Sequence, residues 1–212
     1  GRFQSRGKAD DGTIAPLADL CAQSSNDIAI IGDGGIGKTT FLQHLMEAEF
    51  LAPDGSARRH MRNRPVPFFI ELNRCPDHIR DWYDSTLGKT NFITRYIGQL
   101  REDHASLDSV SPETLDAVEK ELQRIPSVGK AQYLLLLDGF NEVRAGGSIR
   151  ADLSNEITVL HTYPNVRIIT TSRETQAAYY ASAFQNIRLV GLEEGEILAH
   201  LEKCGVPQPI IG

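Results

Sequence analysis

Five short apolar runs punctuate the chain at residues 27–31, 66–72, 133–137, 166–171 and 187–190. Between and after them lie segments whose apolar positions recur every three or four residues. These cover about 37–50, 91–101, 112–124, 149–162, 177–184 and 193–204, with a shorter helix expected around Pro16–Gln23. Runs too short for helices, alternating with helical segments, predict a doubly wound parallel sheet. The run Tyr133-Leu134-Leu135-Leu136-Leu137 has no polar alternation, as expected of a central strand covered on both faces. Pro65 and Pro67 suit a strand entrance. Ser111, followed by Pro112 and Glu113, reads as an N-cap and first helical turn. Residues 1–12 are polar and rich in Gly and Asp, and read as a frayed lead-in. Residues 52–65 read as a loop or ragged helix, and 73–87 as irregular. No internal repeat is visible.

The first strand runs directly into chemistry. Ile28-Ala29-Ile30-Ile31 is followed by Gly32-Asp33-Gly34-Gly35-Ile36-Gly37-Lys38-Thr39-Thr40 and then by a helical pattern. This matches G-x-x-x-x-G-K-[ST], the phosphate-binding P-loop, in the strand-before, helix-after setting the motif needs. Glycines let the backbone come close to a polyanion and turn successive N–H groups toward it. The helix N-terminus favours the same negative charge. Lys38 then supplies a point charge to the β- and γ-phosphates, and the Thr39 hydroxyl is the expected Mg²⁺ ligand. The predicted ligand is a nucleoside triphosphate or its diphosphate.

Two further constellations sit at strand ends. The leucines of 134–137 lead into Asp138-Gly139-Phe140-Asn141-Glu142, which puts the Asp138 carboxylate at the C-terminal edge of a buried strand. Ligands of open α/β sheets bind at that edge. Asp138 is the expected Mg²⁺-associated acid, and Glu142 the candidate to orient or deprotonate an attacking water. The run Arg167-Ile168-Ile169-Thr170-Thr171-Ser172-Arg173-Glu174 ends a later strand in polar residues. Arg173 is the candidate γ-phosphate sensor there. The other reading pairs it locally with Glu174.

Composition narrows the field. A hydrophobic share of 41% supports a real core. The net charge of −6 argues against nucleic acid as an obligate partner. The basic stretch Arg58-Arg59-His60-Met61-Arg62-Asn63-Arg64 carries no interleaved aromatic and reads as a solvated loop, with a polyanion or partner contact as the alternative. Trp82-Tyr83 reads as packing. Cys21, Cys75 and Cys204 are far apart, which points to a reducing, cytoplasmic setting without a disulfide framework or zinc site. The six histidines show no metal spacing. No apolar run is long enough to span a membrane. With Gly1 at one end and Pro209-Ile210-Ile211-Gly212 at the other, the chain reads as an excised fragment.

Taken together, GDGGIGKTT at 32–40, LLLLDGFNE at 134–142 and TSRE at 171–174 resemble the NACHT-type NTPases of the STAND signalling class. VPFFIEL at 66–72 is similar to that family's second strand. LVGLEEGEILAHLEKCG at 189–205 resembles the step from the last core strand into the first helical subdomain. The resemblance implies a three-layer α/β P-loop NTPase (AAA-like, ASCE) with a five-stranded parallel sheet flanked by helices. It implies a lead-in over 1–25, the nucleotide-binding domain over 26–192 and the start of a helical subdomain over 193–212. It further implies ATP and ADP with Mg²⁺ as ligands, and Lys38, Asp138, Glu142 and Arg173 as the acting residues. The activated full-length protein would form a homo-oligomer, triggered by an activating ligand the sequence does not identify, with an output in immune or antiphage defence.

One position departs from the family pattern. Asn141 stands where a second acid is frequent, so Glu142 is the remaining acid of the segment. Slow hydrolysis is the expectation that follows. Two rivals remain open: an oligomeric AAA+-type ATPase with continuous turnover, and a nucleotide-gated interaction module with negligible hydrolysis. A G protein is disfavoured, because the guanine motif Asn/Thr-Lys-x-Asp is absent. A small-molecule kinase fits less well, because the long interval between Lys38 and Asp138 leaves room for an extra strand.

Overall fold

The computed structural model describes residues 6–9, 11–50, 65–72, 92–102, 110–126, 131–143, 147–173, 184–191 and 195. Its strands are β1 (Arg6–Ala9), β2 (Ile14–Pro16), β3 (Ile28–Ile31), β4 (Val66–Glu71), β5 (Tyr133–Asp138), β6 (Val166–Ser172) and β7 (Gln185–Val190). Its helices are α1 (Leu17–Gln23), α2 (Lys38–Phe50), α3 (Phe92–Glu102), α4 (Pro112–Gln123) and α5 (Gly147–His161). A 3-10 turn spans Phe140–Glu142.

All seven strands form one sheet in the order β2-β1-β7-β3-β6-β5-β4. The five from β7 to β4 run parallel, as the apolar runs predict. Alternation along each strand divides the core in two. On β5, Leu135 and Leu137 join α3, α4 and α5 residues such as Phe92, Leu122 and Ile157. Leu134 and Leu136 face the other way, toward Leu17 and Leu20 of α1 and Leu42 of α2. Both faces of β5 are therefore covered, which is why its sequence shows no polar alternation. The result is a three-layer sandwich with the sheet in the middle.

Several expected boundaries recur within a residue or two. Ser111 caps α4, its hydroxyl accepting from the Thr114 N–H at 3.2 Å, with Pro112 opening the helix. The helical readings over 177–183 and most of 193–204 lie outside the described residues. So do the basic stretch 58–64 and Trp82-Tyr83.

The sheet differs from expectation at its N-terminal side. Residues 6–9 are not a frayed lead-in. They form β1, antiparallel to β7 from Arg6–Val190 to Ala9–Ile187, and β2 folds back on β1. Among the described residues the sheet thus has seven strands rather than five. The inward positions of β1 are Gly7 and Ala9, both buried, while Lys8 is exposed. A period-two pattern built from such small side chains carries almost no hydrophobic signal.

A buried acid closes the base of the sandwich, away from the strand ends that carry the motifs. Asp27 accepts from the Ile168 N–H at 2.7 Å and pairs with His161 Nδ1 at 2.6 Å. Its carbonyl accepts from the Gln185 N–H at 2.9 Å, so one residue fastens β3, β6, β7 and the end of α5. Glu156 of α5 accepts from the Ile93 N–H at 2.7 Å. It satisfies a first-turn donor of α3 that has no partner within the helix.

The docked β1 has a direct test. A Cβ at Gly7 would fall 2.6 Å from Ile187 Cγ2 and 2.9 Å from Leu17 Cδ1. Gly7→Val is expected to destabilise the fold by about 1–3 kcal/mol through overpacking, read as a lowered Tm. An unchanged Tm would mean that β1 does not pack against β7 and α1 in solution.

Candidate functional site

The site is built at the C-terminal ends of three adjacent strands, β3, β6 and β5. β3 is buried along its length and ends at Ile31. The Gly32 N–H then donates to the Ser172 carbonyl at 3.2 Å, extending the β3–β6 ladder by one bond. The loop that follows needs glycine at two positions, Gly35 (φ 77°) and Gly37 (φ 99°). A Cβ at either would meet nothing within 4 Å, so both line open space above the loop. Gly37 offers its carbonyl to the Phe41 N–H at 2.9 Å, and α2 starts at Lys38. The loop therefore leads straight into a helix N-terminus, the arrangement that favours anions.

Within the loop, Lys38 Nζ donates to the Gly32 carbonyl at 2.8 Å and the Asp33 carbonyl at 2.7 Å. An ammonium has three donors, so these bonds fasten the charge above the loop without neutralising it. Partial burial pulls the Lys38 pKa below its ordinary value, and the nearby Arg173 guanidinium adds to that pull. Asp138, Glu142 and Asp33 oppose it. One further cation and three carboxylates thus lie close enough to act on Lys38.

The Asp138 carboxylate joins the loop to the other two strand ends. Its Oδ2 accepts from the Thr39 hydroxyl at 2.7 Å, and its Oδ1 from the Thr171 hydroxyl at 2.6 Å. The Thr171 oxygen in turn accepts from the Gly139 N–H at 2.9 Å. Gly139 takes left-handed backbone (φ 74°) and turns the chain into Phe140–Glu142, with Phe140 and Val143 buried as anchors. Glu142 is exposed, and its Oε2 lies 3.3 Å from where a Cβ on Gly139 would stand. Arg173 is also exposed, and its guanidinium lies 3.5 Å from the Cβ position of Gly34.

The fold therefore gathers Lys38, Thr39, Asp138, Glu142 and Arg173 at one edge. Ile36 turns inward instead, its Cγ2 3.1 Å from the Cβ position of Gly32. Thr40 and Asp33 are exposed. No group of three or more His, Cys, Asp or Glu suited to a metal occurs among the described residues. A divalent ion here would draw on the Thr39 hydroxyl, the Asp138 carboxylate and phosphate oxygens. That hard-oxygen donor set, with few protein ligands, fits Mg²⁺.

The family model of the NACHT domain matches residues 26–203. The chain belongs to the NACHT family. Its described part is accordingly a P-loop nucleotide-binding domain. No curated protein matches. Among solved structures, C. elegans PCH-2 is similar at 16% identity, with a TM-score of 0.43, over 90% of this chain and 44% of that one. The cytoplasmic domain of the Thermomonospora curvata type VII secretion ATPase EccC is similar at 14% identity, TM-score 0.41, over 90% of this chain and 22% of that one. A third structure, of an ATPase, is similar at 13% identity, TM-score 0.41, over 89% of this chain and 73% of that one. The NACHT chain thus spans less than half of the first two. Its family assignment rests on the family model.

Sequence reasoning passed over one residue of this NACHT site. Thr171 stood out only as part of a polar run odd for a buried strand. Thr170, Thr171 and Ser172 are indeed almost wholly buried. For Thr171 the reason is now visible, since its hydroxyl serves both Asp138 and Gly139. The usable signal was a hydroxyl at the end of the strand beside the one ending in Asp138-Gly139.

Thr171→Val keeps the shape of the side chain but strands a buried carboxylate oxygen and a backbone N–H. We expect a loss of about 1–3 kcal/mol in unfolding free energy, measured by denaturant without nucleotide. A neutral result would mean that Asp138 finds other donors.

Proposed function

We propose that this NACHT domain is an ATP/ADP switch with slow, Mg²⁺-dependent ATP hydrolysis. Its nucleotide state would control homo-oligomerisation of the full-length protein, in response to an activating ligand, in immune or antiphage defence. The observation that carries the reading is the meeting of Lys38, Thr39, Asp138, Glu142 and Arg173 at one sheet edge. In this reading Lys38 and the N–H groups that follow Gly32 in the loop, residues 33–40, hold the phosphates. Thr39 and Asp138 would hold Mg²⁺, which when bound would supply positive charge against the phosphates. Glu142 orients or deprotonates the attacking water. Arg173 reports the γ-phosphate, because only ATP offers it that anion. A switch needs such differential contact, since a ligand shifts an equilibrium only by its preference for one state. Residues 26–192 would be the nucleotide-binding unit and 193–212 the start of a helical subdomain. A cytoplasmic setting suits a switch fed by ATP.

A second reading is favoured by Asn141. With a neutral side chain beside Glu142, the domain would bind nucleotide tightly and barely hydrolyse it, acting as a nucleotide-gated interaction module.

Thermal unfolding with ADP, ATP and GTP, each with and without Mg²⁺, tests binding first. At a hundred times the dissociation constant, a bound nucleotide is expected to add about 2.7 kcal/mol. The gain should appear with adenine nucleotides and vanish in Lys38→Ala; no gain with any nucleotide would overturn the proposal. Single-turnover hydrolysis then separates the two readings. Glu142→Gln is expected to slow ATP cleavage by about 10²-fold or more while keeping the ATP-dependent thermal shift. Wild-type cleavage no faster than that of the variant would favour the interaction module.

A further inference from the structure

We propose that Asn141 is a positioning residue that holds Arg173 at the nucleotide site through its backbone. The inference rests on the reading that Arg173 meets the γ-phosphate. On one side of β6, pairing with β5 ends at Leu137–Thr170. On the other, pairing with β3 ends at Ile31–Ser172, followed by the Gly32 N–H bond to the Ser172 carbonyl. Arg173 is therefore the first residue beyond both ladders. Its N–H is taken up by a side chain, donating to Asn141 Oδ1 at 3.1 Å.

The position of Asn141 makes that bond consequential. It lies in the 3-10 turn between Phe140, which is fully buried, and Glu142. The turn is further tied by the Glu142 N–H donating to the Gly139 carbonyl at 2.8 Å and by the Gly139 N–H donating to Thr171. Asn141 thus transfers the rigidity of a buried turn to the residue whose guanidinium lies along Gly34 of the P-loop. It also ties the turn that carries the exposed Glu142 to the end of β6, where the exposed Arg173 follows. An amide oxygen does this without adding negative charge where phosphates would sit. The position that departs from the family's acidic pattern therefore has a use of its own, distinct from hydrolysis.

The test has two readouts. Hydrogen exchange at the Arg173 amide, without nucleotide, reads the clamp itself. The ratio of ATP to ADP dissociation constants, by calorimetry with Mg²⁺, reads its consequence. In Asn141→Ala the Arg173 amide should exchange at least about fivefold faster, since one hydrogen bond is lost. The preference for ATP over ADP should fall about tenfold, toward that of Arg173→Ala. Asn141→Asp, which can still accept the bond, should keep the slow exchange of the Arg173 amide, while its added negative charge lowers the preference for ATP. The double variant Asn141→Ala with Arg173→Ala should be no worse than Arg173→Ala alone, because both act through one interaction. Should Asn141→Ala fail to fold, Asn141→Ser, too short to reach the same amide, replaces it. Unchanged exchange in Asn141→Ala overturns the clamp whether or not nucleotide binds. Faster exchange with an unaltered ATP preference, while Arg173→Ala loses its own, overturns the positioning role. If Arg173→Ala itself keeps the preference, the sensor reading fails and the positioning role fails with it. The exchange rate, measured without nucleotide, still decides whether the clamp exists.

Discussion

The Asp138 carboxylate is the point on which the site depends. It is 9% exposed and ends a strand whose preceding leucines are nearly or wholly buried. A carboxylate that deep is costly unless its oxygens accept hydrogen bonds. Here the two oxygens take hydroxyls from two different elements, Thr39 at the start of α2 and Thr171 near the end of β6. The same pair of bonds that makes the burial tolerable draws the loop helix and two strand ends together. Parallel pairing makes this possible, since it brings the C-terminal ends of β3, β6 and β5 to one edge of the sheet.

The charges around that carboxylate are arranged for a polyanion. Partial burial lowers the Lys38 pKa first, and Arg173 is close enough to lower it further, an unfavourable pairing of like charges. Asp138, Glu142 and Asp33 offset part of it. The lysine is held in place by two loop carbonyls, which bond an ammonium without cancelling its charge. An anion set among the loop N–H groups would relieve the remaining repulsion. The partial burial of Lys38 and the guanidinium of Arg173 close to it are thus the features that suit the edge to phosphate.

The opposite end of the sheet uses similar groups for a different purpose. Asp27 is buried, and burial pushes its pKa up although His161 and the Ile168 N–H pull it down. Its partners are all internal, and they tie β3 to β6, β7 and α5. Arg167 likewise donates to the carbonyls of Cys21 and Ser24, anchoring the end of α1 and the chain after it. These polar groups brace the frame on which the strand-end residues sit. Two aspartates, one before β3 and one ending β5, are separated in role by their surroundings rather than by their chemistry.

How far the sequence alone reached depended on the range of the interaction. The parallel core was legible because five apolar runs of strand length stand between helical repeats, and burial on both faces imposes that pattern residue by residue. The loop glycines, Lys38, Thr39 and Asp138 were legible because a phosphate site on a strand–loop–helix unit is a local, contiguous requirement. Strand β1 was not, since Gly7 and Ala9 pack through smallness and leave no apolar signature. Nor was the Asn141 bond to the Arg173 backbone, or the double service of Thr171. Each joins residues about thirty positions apart through atoms that only the register of β5 beside β6 brings within hydrogen-bonding distance. The sequence determined which elements form and which residues carry charge to their ends. Tertiary pairing decided which of those ends share an edge, and so which side chains hold one another in place.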